Sequence, residues 1–165
     1  MRFIYLIRDG RDVAVYSLLL RQRHGTWTGS FPGFVEAFLD GRLDGYGAWQ
    51  DHVEGWLAGL GRSGTTSWSA TRTRTSIVAR EPTRCADFLR TPLREGRIAE
   101  AIEVGAADRM RDAESRSTRQ VVNPAIPNVR STRTSNWSEH FGDREMAAFR
   151  RRGGRALELG GYALD

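Results

Sequence analysis

The chain opens on an unbroken apolar run, Phe3-Ile4-Tyr5-Leu6-Ile7, which has the length and the lack of alternation of a strand buried on both faces of a parallel sheet. Arg8-Asp9-Gly10-Arg11-Asp12 then forms a polar turn. Asp9 reads as an N-cap with Asp12 as its capping-box-like partner, so a helix is predicted from about Gly10 to Arg23. Ser30, with Pro32 just inside it, starts a second helix whose apolar side is Phe34, Val35, Phe38 and Leu39, and Gly41 stops it. A third runs from about Tyr46 to Leu60. There Trp49, Val53, Trp56, Leu57 and Leu60 recur at helical spacing on one face, and such a stripe is read as core.

From Arg62 to Arg80 the chain is mostly Ser, Thr and Arg, and neither the strand period nor the helix period survives. This stretch, 62–80, is predicted to be irregular. A slip of reading frame would account for it: with a suitable choice of codons, Thr66–Thr73 can be re-read one base out of phase as Asp-Val-Leu-Val-Arg-Tyr-Glu-Asp, which looks like a core strand. On that hypothesis a sheet strand is missing from the chain as translated. Helices are predicted again over Arg84–Leu89, Leu93–Val104 and Ala106–Glu114. A polar, Pro-containing loop follows to Ser135, and Trp137–Phe141 leads into a last helix from about Asp143 to Leu159. The expected fold class is α/β, mainly helical, with few parallel strands and Phe3–Ile7 central.

At 165 residues the chain is the size of one domain, and 39% hydrophobic residues with five Trp suffice for a packed interior. The longest apolar stretches, such as Leu18-Leu19-Leu20, are far too short to cross a bilayer, and no signal peptide begins the chain, so a cytoplasmic protein with no membrane partner is expected. The single Cys85 cannot form an internal disulfide, and no Cys/His spacing resembles a zinc site. Cys85 is expected to be a small buried residue. A net charge of +5 admits an anionic partner of any kind. All 25 basic residues are Arg, however, and they are spread along the whole chain, which points to coding bias more than to a nucleic-acid surface.

The segment from Phe3 through Val15 closely resembles the sulfotransferase motif that binds the 3′-phosphate of 3′-phosphoadenosine 5′-phosphosulfate. The physical reading agrees, since a strand, a Gly turn and a helix start offer backbone N–H groups and a positive dipole end, with Arg8 able to fork two hydrogen bonds onto a phosphate. Taken alone, Arg8 would read as a surface residue paired with Asp9 or Asp12. The resemblance continues through Ser30-Phe31, Phe34, Phe38, Gly47-Ala48-Trp49 and Asp51–Trp56. It resumes at Arg130, followed by Trp137, His140 and Phe141, which is similar to the family's second 3′-phosphate element. The resemblance implies a P-loop-type three-layer fold and transfer of a sulfuryl group to an acceptor hydroxyl or amine, leaving adenosine 3′,5′-bisphosphate. It implies a nucleotide cosubstrate and a small-molecule acceptor as partners. The cofactor-binding residues it implies are Arg8, Ser17, Arg130, Ser131 and Thr132, of which Arg130 equally reads as a solvated Arg in a polar loop.

Departures from the family pattern are specific. Tyr16 occupies the place of the family's Ser, and Ser17, next in line, points about 100° further around the helix. Ala106 and Ala107 stand where a hydroxyl and an aromatic are usual, Thr132 replaces a Gly, and Asn136 an Asp. His52, on the Trp-rich helix, is read as structural, and His24 and His140 have weaker claims, so no residue is assigned as catalytic. The family's Gly-rich phosphosulfate loop and base would lie before Met1, which implies a single truncated domain, 1–165, inactive as it stands. A basic nucleic-acid-binding module and a protein-interaction fragment are the competing readings. No dimer signature is recognisable from Ser138 to Ala147.

Overall fold

The computed structural model describes residues 3–60, 66–70, 80–92, 94, 96–117, 121–128 and 136–164. Strand β1 (Phe3–Ile7) leads through α1 (Gly10–Arg23), α2 (Phe31–Leu39) and α3 (Trp49–Leu60) to β2 (Thr66–Ala70). Helices α4 (Arg80–Leu89), α5 (Arg97–Val104) and α6 (Ala107–Ser115), a 3-10 turn over Asn136–Glu139 and α7 (Asp143–Leu159) complete the chain.

Local signals set most of these bounds. Asp9 caps α1 by accepting from Arg11 N, and Ser30 caps α2 by accepting from Gly33 N. Gly41 ends α2 at φ +67°, and a Cβ there would sit 2.5 Å from Ala48 N, so only glycine fits. Glu145 reaches back to Gly142 N at 3.0 Å and fixes the start of α7.

β1 and β2 pair in parallel, in the register Phe3↔Thr66 to Ile7↔Ala70. This corrects the irregular reading of 62–80 at Thr66–Ala70. A ladder is built from backbone groups and β1 offers an edge, so a polar sequence pairs without any period of its own. Residues 61–65 and 71–79 of that stretch lie outside the described residues.

Two packed clusters hold the domain. Ala14 and Leu18 of α1, Phe34, Val35, Phe38 and Leu39 of α2, and Ala148, Phe149 and Leu157 of α7 form the larger. Ile7, Val53 and Ala156 form the smaller, and Trp49 and Tyr162 pack against both. Outside the core, Arg152 of α7 pairs with Glu36 of α2 at 3.0 Å and with Asp40 just beyond it. Arg42, and then Arg152, hold the Asp40 carboxyl below its ordinary value.

Two expectations about core faces change. Tyr5 and Ile7 pack toward α3 and α7, but Leu6, on the opposite face of β1, is 68% exposed, so among the described residues the strand is covered on one side. Trp56 is 40% exposed and stacks on Tyr5, with ring centroids 5.4 Å apart, while Val53 takes the buried place on α3. Cys85 is half-buried.

Candidate functional site: the turn between β1 and α1

The five residues after β1 divide into a buried structural set and one exposed cation. Arg11 folds back over the cap: its Nε donates to Asp9 Oδ1 at 3.1 Å and its Nη2 to Asp9 Oδ2 at 2.8 Å. The same Nη2 donates to Ala163 O at 2.8 Å, and the guanidinium carbon lies 3.8 Å from the centre of the Trp137 ring. Arg11 is 2% exposed, so the fork is built into the interior, beneath the surface a ligand would reach.

Asp12, expected to complete a capping box, turns toward the far end of the sequence. Its Oδ1 accepts from Trp137 N at 3.1 Å, joining the start of α1 to the 3-10 turn. The other oxygen lies 3.5 Å from Arg8 Nη2. The Arg8 side chain is 45% exposed, and a pair this long at a half-exposed site contributes about 0–1 kcal/mol. Arg8 therefore leaves part of its guanidinium exposed at the N-terminus of α1, where the helix dipole favours negative charge.

Gly10 is required by packing. A Cβ there would lie 2.6 Å from Trp49 Cε3, and that ring packs against both clusters, so it has no room to retreat. Gly10→Ala is expected to destabilise the protein by about 1–3 kcal/mol, read from the midpoint of urea unfolding. A midpoint equal to that of the parent would show that Trp49 moves aside freely.

Of the residues singled out in the sequence, the described ones are Arg8 and Ser17. Ser17 lies in α1, half-buried, one residue along from Tyr16. Arg130, Ser131 and Thr132 lie outside the described residues. What the structure does bring to the turn is Trp137, clasped by Asp12 and Arg11. His52 Nδ1 lies 3.0 Å from the Tyr5 hydroxyl, and burial raises the Tyr5 phenol above its ordinary value, which keeps it neutral. His52 thus has the Tyr5 hydroxyl as a hydrogen-bond partner.

Sequence reasoning missed the Asp9–Arg11 fork, although the spacing of two Arg and two Asp within five residues was its signal. It also missed a network beyond the turn. The Tyr16 hydroxyl donates to Asn128 Oδ1 at 3.3 Å, Asn128 N donates to Glu114 Oε1 at 2.7 Å, and Glu114 pairs with Arg23 at 2.8 Å. Arg23, Glu114 and Asn128 border an open cleft of about 910 Å³ between α1, α6 and the segment 121–128, lined by Leu20, His24, Met110, Val121 and Pro124 among others.

The sulfotransferase domain family matches residues 1–159, covering both the turn and the Trp137 element. The chain belongs to the sulfotransferase family. Human Sulfotransferase 1E1 is 28% identical over 148 residues, 85% of this chain and 49% of that protein. Sulfotransferase 1E1 from Cavia porcellus is 43% identical over 58 residues, 33% of this chain and 19% of that protein. This sulfotransferase chain therefore spans about half the length of the human relative. Among solved structures, mouse sulfotransferase SULT7A1 complexed with PAP superposes with a TM-score of 0.76 at 17% identity, over 97% of this chain and 60% of that one. Retinol dehydratase in complex with retinol and PAP gives 0.76 at 19% identity, over 95% of this chain and 48% of that one. The fold is accordingly the sulfotransferase α/β fold, here mostly helical with few strands, as expected. Among the described residues no helix is long and apolar enough to cross a membrane.

Proposed function

We propose that this chain carries the 3′-phosphate half of a sulfotransferase nucleotide site and binds adenosine 3′,5′-bisphosphate and its phosphosulfate precursor. The observation that carries the reading is the half-exposed Arg8 guanidinium at the start of α1, next to a turn whose other three charges are buried. Two Arg and two Asp leave the turn itself with no net charge, so a phosphate dianion needs a second cation. Arg130 is that cation in this reading. It stands seven residues before Trp137, which Asp12 and Arg11 fasten to the turn. Ser131, Thr132 and Ser17 are the hydroxyl donors that go with it.

The phosphosulfate, when bound, supplies the sulfuryl group that passes to an acceptor hydroxyl or amine. The residues here bind and orient the nucleotide, and we assign no proton-transfer role to any of them. The open cleft beside α1 has mixed polar and apolar walls, which suit a small-molecule acceptor. A cytoplasmic setting goes with this reading. Retinol dehydratase and mouse SULT7A1, crystallised with PAP, share the fold and support it.

Isothermal titration calorimetry on the 165-residue chain tests the proposal. Adenosine 3′,5′-bisphosphate is expected to bind and adenosine 5′-phosphate to bind at least tenfold more weakly, since one charge-assisted hydrogen bond to the 3′-phosphate contributes about 1.5–3 kcal/mol. Equal affinity for the two nucleotides would show that the 3′-phosphate is not what the turn recognises.

A further inference from the structure

We infer that the cleft between α1, α6 and the segment 121–128 takes an amphipathic small molecule that carries a carboxylate on an apolar body, with Arg111 as the residue that meets the carboxylate. This names the chemical class of the acceptor for which the cleft was proposed above, and it rests on that reading for the molecule's role as acceptor. Leu20 of α1, Met110 of α6, and Val121, Pro124 and Pro127 of the facing segment give the cleft its apolar wall. Met110 is 48% exposed and Val122, next to Val121, is 74% exposed, so apolar surface is left open to be covered. A volume of about 910 Å³ is ample for a small molecule.

The charges along the wall are unequal. Arg23, Arg111 and His24 line the cleft against one carboxylate, Glu114. Glu114 Oε1 accepts from Asn128 N at 2.7 Å and pairs with Arg23 at 2.8 Å, while Arg23 also donates to Ile126 O. This largely buried pair braces α1, α6 and the segment together, and its charges cancel within the wall. Arg111 stands three residues before Glu114, hence on the same face of α6, and it is half-exposed. It donates to Asp108 Oδ1 at 2.6 Å, but Asp108 is almost wholly in water, so that pair contributes little and yields to a carboxylate shielded by the apolar wall. His24 adds a ring N–H in either charge state. One effect opposes an anion here, because α1 and α6 both end at the cleft and a helix C-terminus favours positive charge. The carbonyls concerned are already occupied. Leu20 O, Arg21 O, Gln22 O and Arg23 O accept from the backbone N–H of His24, Thr26, Gly25 and Asn123, and at the end of α6 Arg116 Nε donates to Asp112 O at 3.0 Å. The balance left for a ligand is therefore positive.

Titrations of the 165-residue chain with 6-hydroxy-2-naphthoate, 2-naphthol and 6-(aminomethyl)-2-naphthol test this, since the probes share ring and hydroxyl and differ in the charge opposite it. The carboxylate is expected to bind about fivefold more tightly than the neutral naphthol, the scale of one half-exposed charged contact, and the amine more weakly than either. Arg111→Gln should bring the carboxylate down to the affinity of the neutral naphthol and leave the latter, and the unfolding midpoint, at the parent's values. Arg155→Gln removes an equal charge from an exposed site on α7 outside the cleft lining, and should change nothing. Absence of binding by all the probes, a preference for the neutral or cationic one, or a carboxylate preference that survives Arg111→Gln or falls equally in Arg155→Gln would overturn the inference. The carboxylate should also bind undiminished beside adenosine 3′,5′-bisphosphate and in Arg8→Ala. Displacement by the nucleotide, or loss in Arg8→Ala, would place the probe at the β1–α1 turn and overturn the inference. A chain that binds the carboxylate through Arg111 but no 3′-phosphorylated nucleotide would overturn the functional reading and the acceptor role, and would leave the ligand class of the cleft standing.

Discussion

Replacing Arg8 by Ala should weaken adenosine 3′,5′-bisphosphate binding about a hundredfold, while leaving stability within about 0.5 kcal/mol of the parent. Two forked, charge-assisted hydrogen bonds are worth about 1.5–3 kcal/mol each, and half-exposure of the side chain reduces that sum. Each tenfold in affinity corresponds to about 1.4 kcal/mol, which places the loss near two decades. The substitution has a second effect in the same direction. Asp12 is buried and fixed by Trp137 N, so it stays where it is and keeps its negative charge near the incoming phosphate. Arg8→Lys restores the charge but not the planar fork, and is expected to recover about half of the lost free energy. Stability is spared because the Arg8–Asp12 contact is long, the Arg8 side chain is half in water, and buried Asp12 keeps its hydrogen bond from Trp137 N. Titration calorimetry and urea unfolding on the same preparations check both halves. Unchanged affinity in Arg8→Ala would make this turn a structural feature and leave the chain without its nucleotide site.

What could be read in the sequence was what is fixed locally. The bounds of α1 and α2 follow from side chains within a few positions of each end: Asp9, Ser30 with Pro32, and Gly41. β1 was legible because five apolar residues in a row before a Gly turn leave few alternatives. β2 was not, since Thr66–Ala70 has no pattern, and its pairing is decided by the edge that β1 presents. The site divides along the same line. That Arg8 would be a surface residue beside Asp12 could be anticipated from a motif of contiguous residues. That Asp12 would hold Trp137, Arg11 would reach Ala163 and Tyr16 would reach Asn128 could not, because each contact crosses more than a hundred residues and no periodicity encodes it. The stripe on α3 shows the limit of periodicity itself. Spacing placed Trp56 on the inner face, but the helix sits over β1 so that Val53 is buried and Trp56 lies at the rim, stacked on Tyr5.

The largest loss of stability is expected at the Asp9–Arg11 fork. Arg11→Ala removes the partner of a buried carboxylate, and an uncompensated buried charge costs about 3–5 kcal/mol. Asp9 would keep one hydrogen bond, from Arg11 N, because that donor belongs to the backbone. The same change takes away the cation above Trp137 and the donor to Ala163 O, so the element carrying Trp137 and the segment after α7 lose an anchor together. Since small domains are stable by only about 5–15 kcal/mol, a change of this size brings the protein close to unfolding at ambient temperature. Asp9→Asn retains a good cap but removes the Asp9–Arg11 ion pair, and should fall between the parent and Arg11→Ala. The double variant Asp9→Asn with Arg11→Gln, which buries no charge, is expected to be less destabilised than Arg11→Ala alone. Urea unfolding of the four proteins decides the matter. The contrast with Arg8 is the informative part: two arginines three residues apart in one motif should separate cleanly, one governing affinity and the other stability. If Arg11→Ala unfolds like the parent, the buried fork contributes nothing, and both arginines would have to be reconsidered as ligands of the phosphate.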